Sequence, residues 1–380
     1  MNSRERVIQA INHQEPDRVP IDINPLHDFY YDLKQYLHLD IEEKVKHNYA
    51  MEVIPHPRVL QKLGVDISSV KLGSPSIKTK EPRSDGLVED DWGILYKVVS
   101  QPGGGSYYEV VSSPLADAEL ADLAHYPWPI PDLPGRGEEA EKNAKALFED
   151  TELAILGRFG GAITETAINM LGMENWMIRL TSDPDFIEAL LTKITDIQIA
   201  LDRIGLEATA KYLQIYKASG EDLGMQIGPL YSMKMFRNQF LPHFKRRFQA
   251  ARSYLDSVNP AVKIMLHSCG SISKFLPDLI DAGIDIIDPI QPHAAAMNSA
   301  ELKANYGDKL TFHGGVDIQQ VLPFGTKEDI ETEVQTRIND LGPGGGYILA
   351  PAHNVQADVK PENIIYMIEA VKRFGGYPIS

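Results

Sequence analysis

From Leu153 onward, short apolar runs alternate with longer amphipathic segments, and this rhythm constrains the chain more than any other feature. A strand buried on both faces needs a continuous apolar run, and its parallel neighbour is reached only through a long crossover, usually a helix. The runs are LAILGRF (Leu153 to Phe159), YLQIYKA (Tyr212 to Ala218), VKIMLHSC (Val262 to Cys269), IDIIDPI (Ile284 to Ile290), LTFHGGV (Leu310 to Val316) and YILAPAH (Tyr347 to His353). Between them, Ser232 to Tyr254, Ile272 to Ala282, Lys327 to Leu341 and Pro361 to Phe374 carry apolar residues at helical spacing. Two upstream runs, RVPIDI (Arg18 to Ile23) and DISSVKLG (Asp66 to Gly73), bring the strands to the eight of an α/β, (β/α)8 TIM-type barrel.

The rhythm breaks between about 74 and 114, where β-rich runs flank PGGG (Pro102 to Gly105). This predicts a β-hairpin or meander inserted near the N-terminal third, forming a lid or rim. The Pro-rich stretch His125 to Asn143 reads as a connector into a polar helix. A chain of 380 residues lies within the reach of one barrel domain, so 1–380 is taken as a single unit carrying the insertion. A doubly wound sheet is the alternative, but no G-x-G-x-x-G follows an early strand to support it.

Charge narrows the partners. Lys+Arg number 37 against 53 Asp+Glu, a net charge of −16 that repels nucleic acid and anionic membrane surfaces. The single cysteine can form no internal disulfide, the opening residues have no apolar leader, and no apolar run approaches the roughly 20 residues of a membrane helix. These features predict a cytoplasmic protein acting on a small molecule.

In such a barrel, chemistry gathers at the carboxyl ends of the strands. Those ends are polar here: Phe159 to Gly161, Ser219 to Asp222, His267 with Cys269, Asp288 and Gln291, His313 to Asp317, and His353 with Asn354. Any one of them alone is explained as a turn former or helix cap; their joint placement predicts one mouth. Glu221, Asp222 and Asp317 are candidates to orient substrate or relay a proton, and Phe159, Gln291, His313 and Asn354 are candidates to contact it. Residues i and i+2 of a strand share a face, so His267 and Cys269 can offer an imidazole and a thiolate to one point. With His353 closing the last run, three ligands and an open position would give catalytic zinc character. Gln291 or Asp288 would then be a fourth or supporting group. The competing reading makes Cys269 a small buried apolar residue and His267 a hydrogen-bonded core group. PGGGY (Pro343 to Tyr347) falls between a helix and a strand and reads as a turn at the opposite end.

The segments SRERVIQAINHQEPDRVPIDI, GRFGGAITETAINMLGMENWMIRLTSDPD and GYILAPAHNVQADVKPENIIYMIEAVKRFG resemble the uroporphyrinogen decarboxylase superfamily, which includes cobalamin-dependent methyltransferases. The resemblance implies a TIM-type barrel and places His353 at that family's substrate-pocket histidine. The decarboxylases carry an Arg-rich RQAGRY segment after the first strand, whereas this chain has NPLHDFYYDLKQY, Asn24 to Tyr36, without arginine. Their catalytic aspartate has a loose counterpart in Asp66. HSCG instead resembles the H-x-C zinc motif of the methyltransferase branch, whose third ligand is a cysteine at the position of His353. The resemblance thus implies zinc on His267, Cys269 and His353, methyl transfer involving a corrinoid supplied by a partner protein, and a homodimer. A decarboxylase, or a non-catalytic relative that binds a small ligand, is the alternative.

Overall fold

The computed structural model describes residues 1–42, 51–77, 83–100 and 105–379, and most of the expected PGGG turn lies outside them. Seven parallel strands form one curled sheet in the order Ile67–Lys71, Ala154–Arg158, Ile215–Gly220, Lys263–His267, Ile286–Ile290, Thr311–Val316 and Tyr347–Pro351. Each falls within or beside an expected run. The eighth, Arg18 to Ile23, is no regular strand. It makes one parallel bridge, Ile21 to Leu349, and spans the two ends of the sheet through Asp22 N to Leu349 O (3.0 Å), Leu349 N to Pro20 O (2.9 Å) and Asp66 N to Ile21 O (2.9 Å). Pro20 has no N–H, and Ile21 N donates to the Asp66 carboxylate at 2.8 Å instead of to a neighbouring carbonyl. The barrel therefore closes through a stave that cannot form a ladder.

The two-residue period of the strands sorts the side chains. Ile67, Leu156, Ile215, Met265, Ile286 and Ile348 cluster with Val7 and Ile11 of helix Ser3–Ile11, which plugs the amino end of the barrel. The alternate residues Ile155, Tyr216, Ile264, Leu266, Ile287 and Leu349 join the larger core beneath the outer helices. Lys327–Leu341 and Pro361–Phe374 are helices at their expected bounds; the first opens on Thr326, whose side chain accepts from Asp329 N. The expected helix from Ser232 is broken by a π turn at Phe236–Phe240 before it continues as Leu241–Val258.

The insertion is an antiparallel meander of Val88–Glu89, Leu95–Ser100 and Ser106–Ser112. Its last strand reaches the mouth of the barrel, where Ser106 N donates to Asp28. Among the described residues, no helix is long and apolar enough to cross a membrane.

Candidate metal centre at the carboxyl end of the barrel

His267 ends its strand, and the parallel register sets Asp288 beside it. The Asp288 carboxyl is held well below its ordinary range: burial opposes ionisation, but Lys217, His313 and His267 outweigh it. As an ionised acceptor it takes the Nδ1 proton of His267 at 2.8 Å, which leaves the Nε2 lone pair facing Cys269 Sγ at 3.3 Å. His353 comes from the loop after the last strand, its ring 5.7 Å from that of His267. One ligand atom from each of the three lies within 4.8 Å of the others.

The donor set fits zinc. A tetrahedral ion with ordinary Zn–S and Zn–N bonds sets its sulfur and nitrogen ligands about 3.5 Å apart, near the 3.3 Å seen here. Burial, and next Asp222 and Asp288, push the Cys269 thiol far above its usual range, and a cation at this point would favour the thiolate. Burial, and then His267, lower the His353 pKa, which favours the neutral ligand form.

Supporting groups hold the ligand loops. Gln291 accepts from Gly270 N at 2.8 Å and donates to Ala352 O at 3.3 Å, tying the Cys269 loop to the residue before His353. Gly270, at φ 76°, lies so close to Gly224 that a Cβ would stand 2.5 Å from its carbonyl carbon. Beneath the site, His313 bridges Asp288 (2.7 Å) and Asp22 (3.0 Å). Burial alone would lower its pKa, yet the two carboxylates carry it up to about 9.

The structure brings some of the expected residues together and sends others elsewhere. Asp222 lines the cavity beside Cys269 and His353, and Asn354 lines it while donating to Glu52. Gln291 serves the loops, and His313 is buried below the cavity. Glu221 is directed to the start of helix Thr164–Leu171, accepting from Ile163 N at 2.6 Å and Thr164 N at 2.8 Å. Asp317 accepts from Gln319, Gln320 and Val321 N and organises its own loop. Phe159 faces the helix layer, stacked on Tyr216 and pressed against Gly205. Asp66 lies at the plugged end, bound by Arg6 and Arg18, far from the role its loose match suggested.

The cavity has a volume of about 600 Å³. Its wall includes groups that sequence reasoning passed over: Glu52, Arg158, Glu165 and Lys217. Strand parity could have found two of them, since Arg158 and Lys217 stand two places beyond inward Leu156 and Ile215. Glu165 has no hydrogen bond or ion pair among the described residues, and its pKa rises to about 7 through burial and then the charges of Asp222, Glu221 and Glu52.

A sequence profile of the family described as Uroporphyrinogen decarboxylase (URO-D) matches residues 110–374. Among curated proteins, the chain is 36% identical to a uroporphyrinogen decarboxylase of Pseudoalteromonas translucida (strain TAC 125) over 193 residues, 51% of this chain and 50% of that one. It is 25% identical to a uroporphyrinogen decarboxylase of Chlorobium limicola over 231 residues, 59% of this chain and 60% of the relative. The matches thus span about half the length of these curated relatives. Among solved structures, a methyltransferase from Methanosarcina mazei superposes with a TM-score of 0.65 at 17% identity, covering 98% of this chain and 99% of that one, which shows the same fold.

Proposed function

The chain belongs to the uroporphyrinogen decarboxylase family, and from that premise we propose that it is an enzyme moving a methyl group from a small methylated substrate to a corrinoid carried by a partner protein, with zinc at His267, Cys269 and His353. The observation that carries this reading is the convergence of those three ligand atoms within 4.8 Å at the edge of a cavity of about 600 Å³. The match to a solved structure titled a methyltransferase agrees with it.

Zinc, when bound, would supply a Lewis acid for the heteroatom that loses its methyl group. The chain's own residues prepare the site. Asp288 fixes the His267 tautomer, and Gln291 sets the spacing between the Cys269 and His353 loops. Glu165, poised near neutrality on the cavity wall, can give a proton to the departing oxygen or nitrogen. In this reading residues 1–380 act as one unit in the cytoplasm.

The test begins with metal content. About one zinc per chain, lost in both His267→Ala and Cys269→Ala, supports the centre. Methylation of added cob(I)alamin, followed by absorbance over a panel of methyl ethers and methylamines, then tests the reaction. Zinc retained by Cys269→Ala, or full activity without metal, would overturn the proposal. A carboxy-lyase is the second reading, favoured by the basic groups Arg158 and Lys217 on the cavity wall. Metal-independent release of CO2 would select it.

A further inference from the structure

Three consecutive barrel strands, Ile67–Lys71, Ala154–Arg158 and Ile215–Gly220, each raise a cation at one level: Lys71 and Arg158 close theirs, and Lys217 stands third in its own. The register places Lys71 opposite Arg158 and Arg158 opposite Lys217. This is costly packing of like charges in a chain whose net charge is −16. Two carboxylates answer them. Glu52 takes Lys71 Nζ at 3.1 Å and Arg158 Nη2 at 2.5 Å, and Asp288 takes Lys217 Nζ at 2.7 Å. Among the described residues, these ion pairs set three cations against two carboxylates.

Two of the three cations face the cavity. Arg158 and Lys217 line it, and among the described residues Arg158 gives one Nη2 hydrogen to Glu52, which leaves its second Nη2 hydrogen and the N–H beside it as one paired edge for a ligand. Lys71 stands behind Glu52, and burial followed by the neighbouring Arg158 brings its pKa down to about 8. Besides Glu52 and Asp288, the acidic wall groups are Asp222 flanking Cys269 and His353, Asp28 bound at the rim to the inserted meander, and Glu165 within the field of Asp222 and Glu52. The cations Arg158 and Lys217 thus share one side of the cavity, Lys217 Nζ reaching to 3.4 Å from His267 Nδ1, while Asp222 stands beside Cys269 and His353.

We propose that the cavity binds its substrate through a carboxylate seated on the free edge of the Arg158 guanidinium with Lys217 beside it, so that the methyl-bearing end points to His267, Cys269 and His353. Orientation toward the centre rests on the methyl-transfer reading; the carboxylate seat itself does not. A planar fork offering paired N–H donors matches a carboxylate and distinguishes it from an uncharged amide. Glu52 then has a defined part: it holds Arg158 and Lys71 in place but competes with the incoming anion.

The test is calorimetric titration of the full chain, stripped of metal so that no ion can hold the probe, with 4-methoxybenzoate and its uncharged relative 4-methoxybenzamide. The acid is expected to bind at least about tenfold tighter than the amide. Arg158→Gln should abolish that preference, and Glu52→Gln should enlarge it by removing the competing anion. A purely structural role for the Arg158–Glu52 pair would make both variants weaken binding alike. Equal binding of acid and amide, or a preference retained in Arg158→Gln, overturns the proposal. Carboxylate preference with no methyl transfer in the zinc-loaded protein upholds the seat and counts against the function. Methyl transfer from neutral ethers with no such preference does the reverse.

Discussion

Asp288 receives three donors on two oxygens: Lys217 Nζ at 2.7 Å, His267 Nδ1 at 2.8 Å and His313 Nδ1 at 2.7 Å. Replacing it by Asn substitutes an N–H donor for one acceptor oxygen and leaves buried cations without their counter-charge. Asp288→Asn should weaken zinc binding by about 10–100-fold in competition with a chromophoric chelator. It should also cost about 3–5 kcal/mol in urea unfolding. His313 ties this network to pH. Its folded pKa of about 9 lies above the ordinary histidine value, so its stabilising contribution is complete below about pH 6.5 and is lost as pH rises through 9. The unfolding free energy of the wild type should fall by roughly 3 kcal/mol more than that of His313→Gln between pH 6 and pH 10. A parallel decline in both proteins would show that other groups set the slope. The convergence of His267, Cys269 and His353 was legible in the sequence because they close apolar runs. The chemistry of Glu221, Asp317 and Phe159 was not, because a strand-end residue can turn to the cavity, to a helix start or to the helix layer, and the choice depends on packing partners distant in sequence.

At the scale of elements, every barrel strand from Leu153 onward could be read from its apolar run, since burial on both faces leaves a continuous signal. The stave Arg18 to Ile23 carries the same signal, yet Pro20 and the claim of Asp66 on Ile21 N keep it to one parallel bridge with the sheet. The loop Ser268 to Ser271 shows what backbone contacts do for the site. Ser268 N donates to Asp288 O at 2.7 Å and Ser271 N to Met225 O at 2.9 Å, so Cys269 is suspended between a strand and the short hairpin Gly224–Met225 with Gly228–Pro229. Gly270 permits this by its positive φ and its close approach to Gly224. Gly270→Ala should therefore displace the Cys269 loop and reduce zinc content while leaving the circular dichroism of the barrel unchanged. Full zinc occupancy in that variant would show that the loop tolerates the added Cβ.

Taken whole, the molecule is an acidic protein that gathers three cations at one side of its mouth, and sequence totals could not reveal this because Lys71, Arg158 and Lys217 meet only when the barrel curls. The arrangement makes anion binding depend on pH in a stated direction. Glu165, with a pKa of about 7, changes from neutral to negative as pH rises, while Lys71, near 8, changes from positive to neutral. Both changes make the cavity more negative, so both oppose a carboxylate. The other titratable groups facing this space, among the described residues, are His27, Asp28, Glu52, Tyr107, Tyr108, Arg158, Lys217, Asp222, His267, Asp288 and His353. Affinity of the metal-stripped protein for 4-methoxybenzoate, itself ionised throughout, should fall by about tenfold between pH 6 and pH 9. Glu165→Gln should remove the part of the fall centred near 7, and Lys71→Arg, which keeps its charge, the part near 8. An affinity that is flat or rises across this window would mean that neither group senses the ligand, and the carboxylate would then have to sit away from the floor formed by these strands.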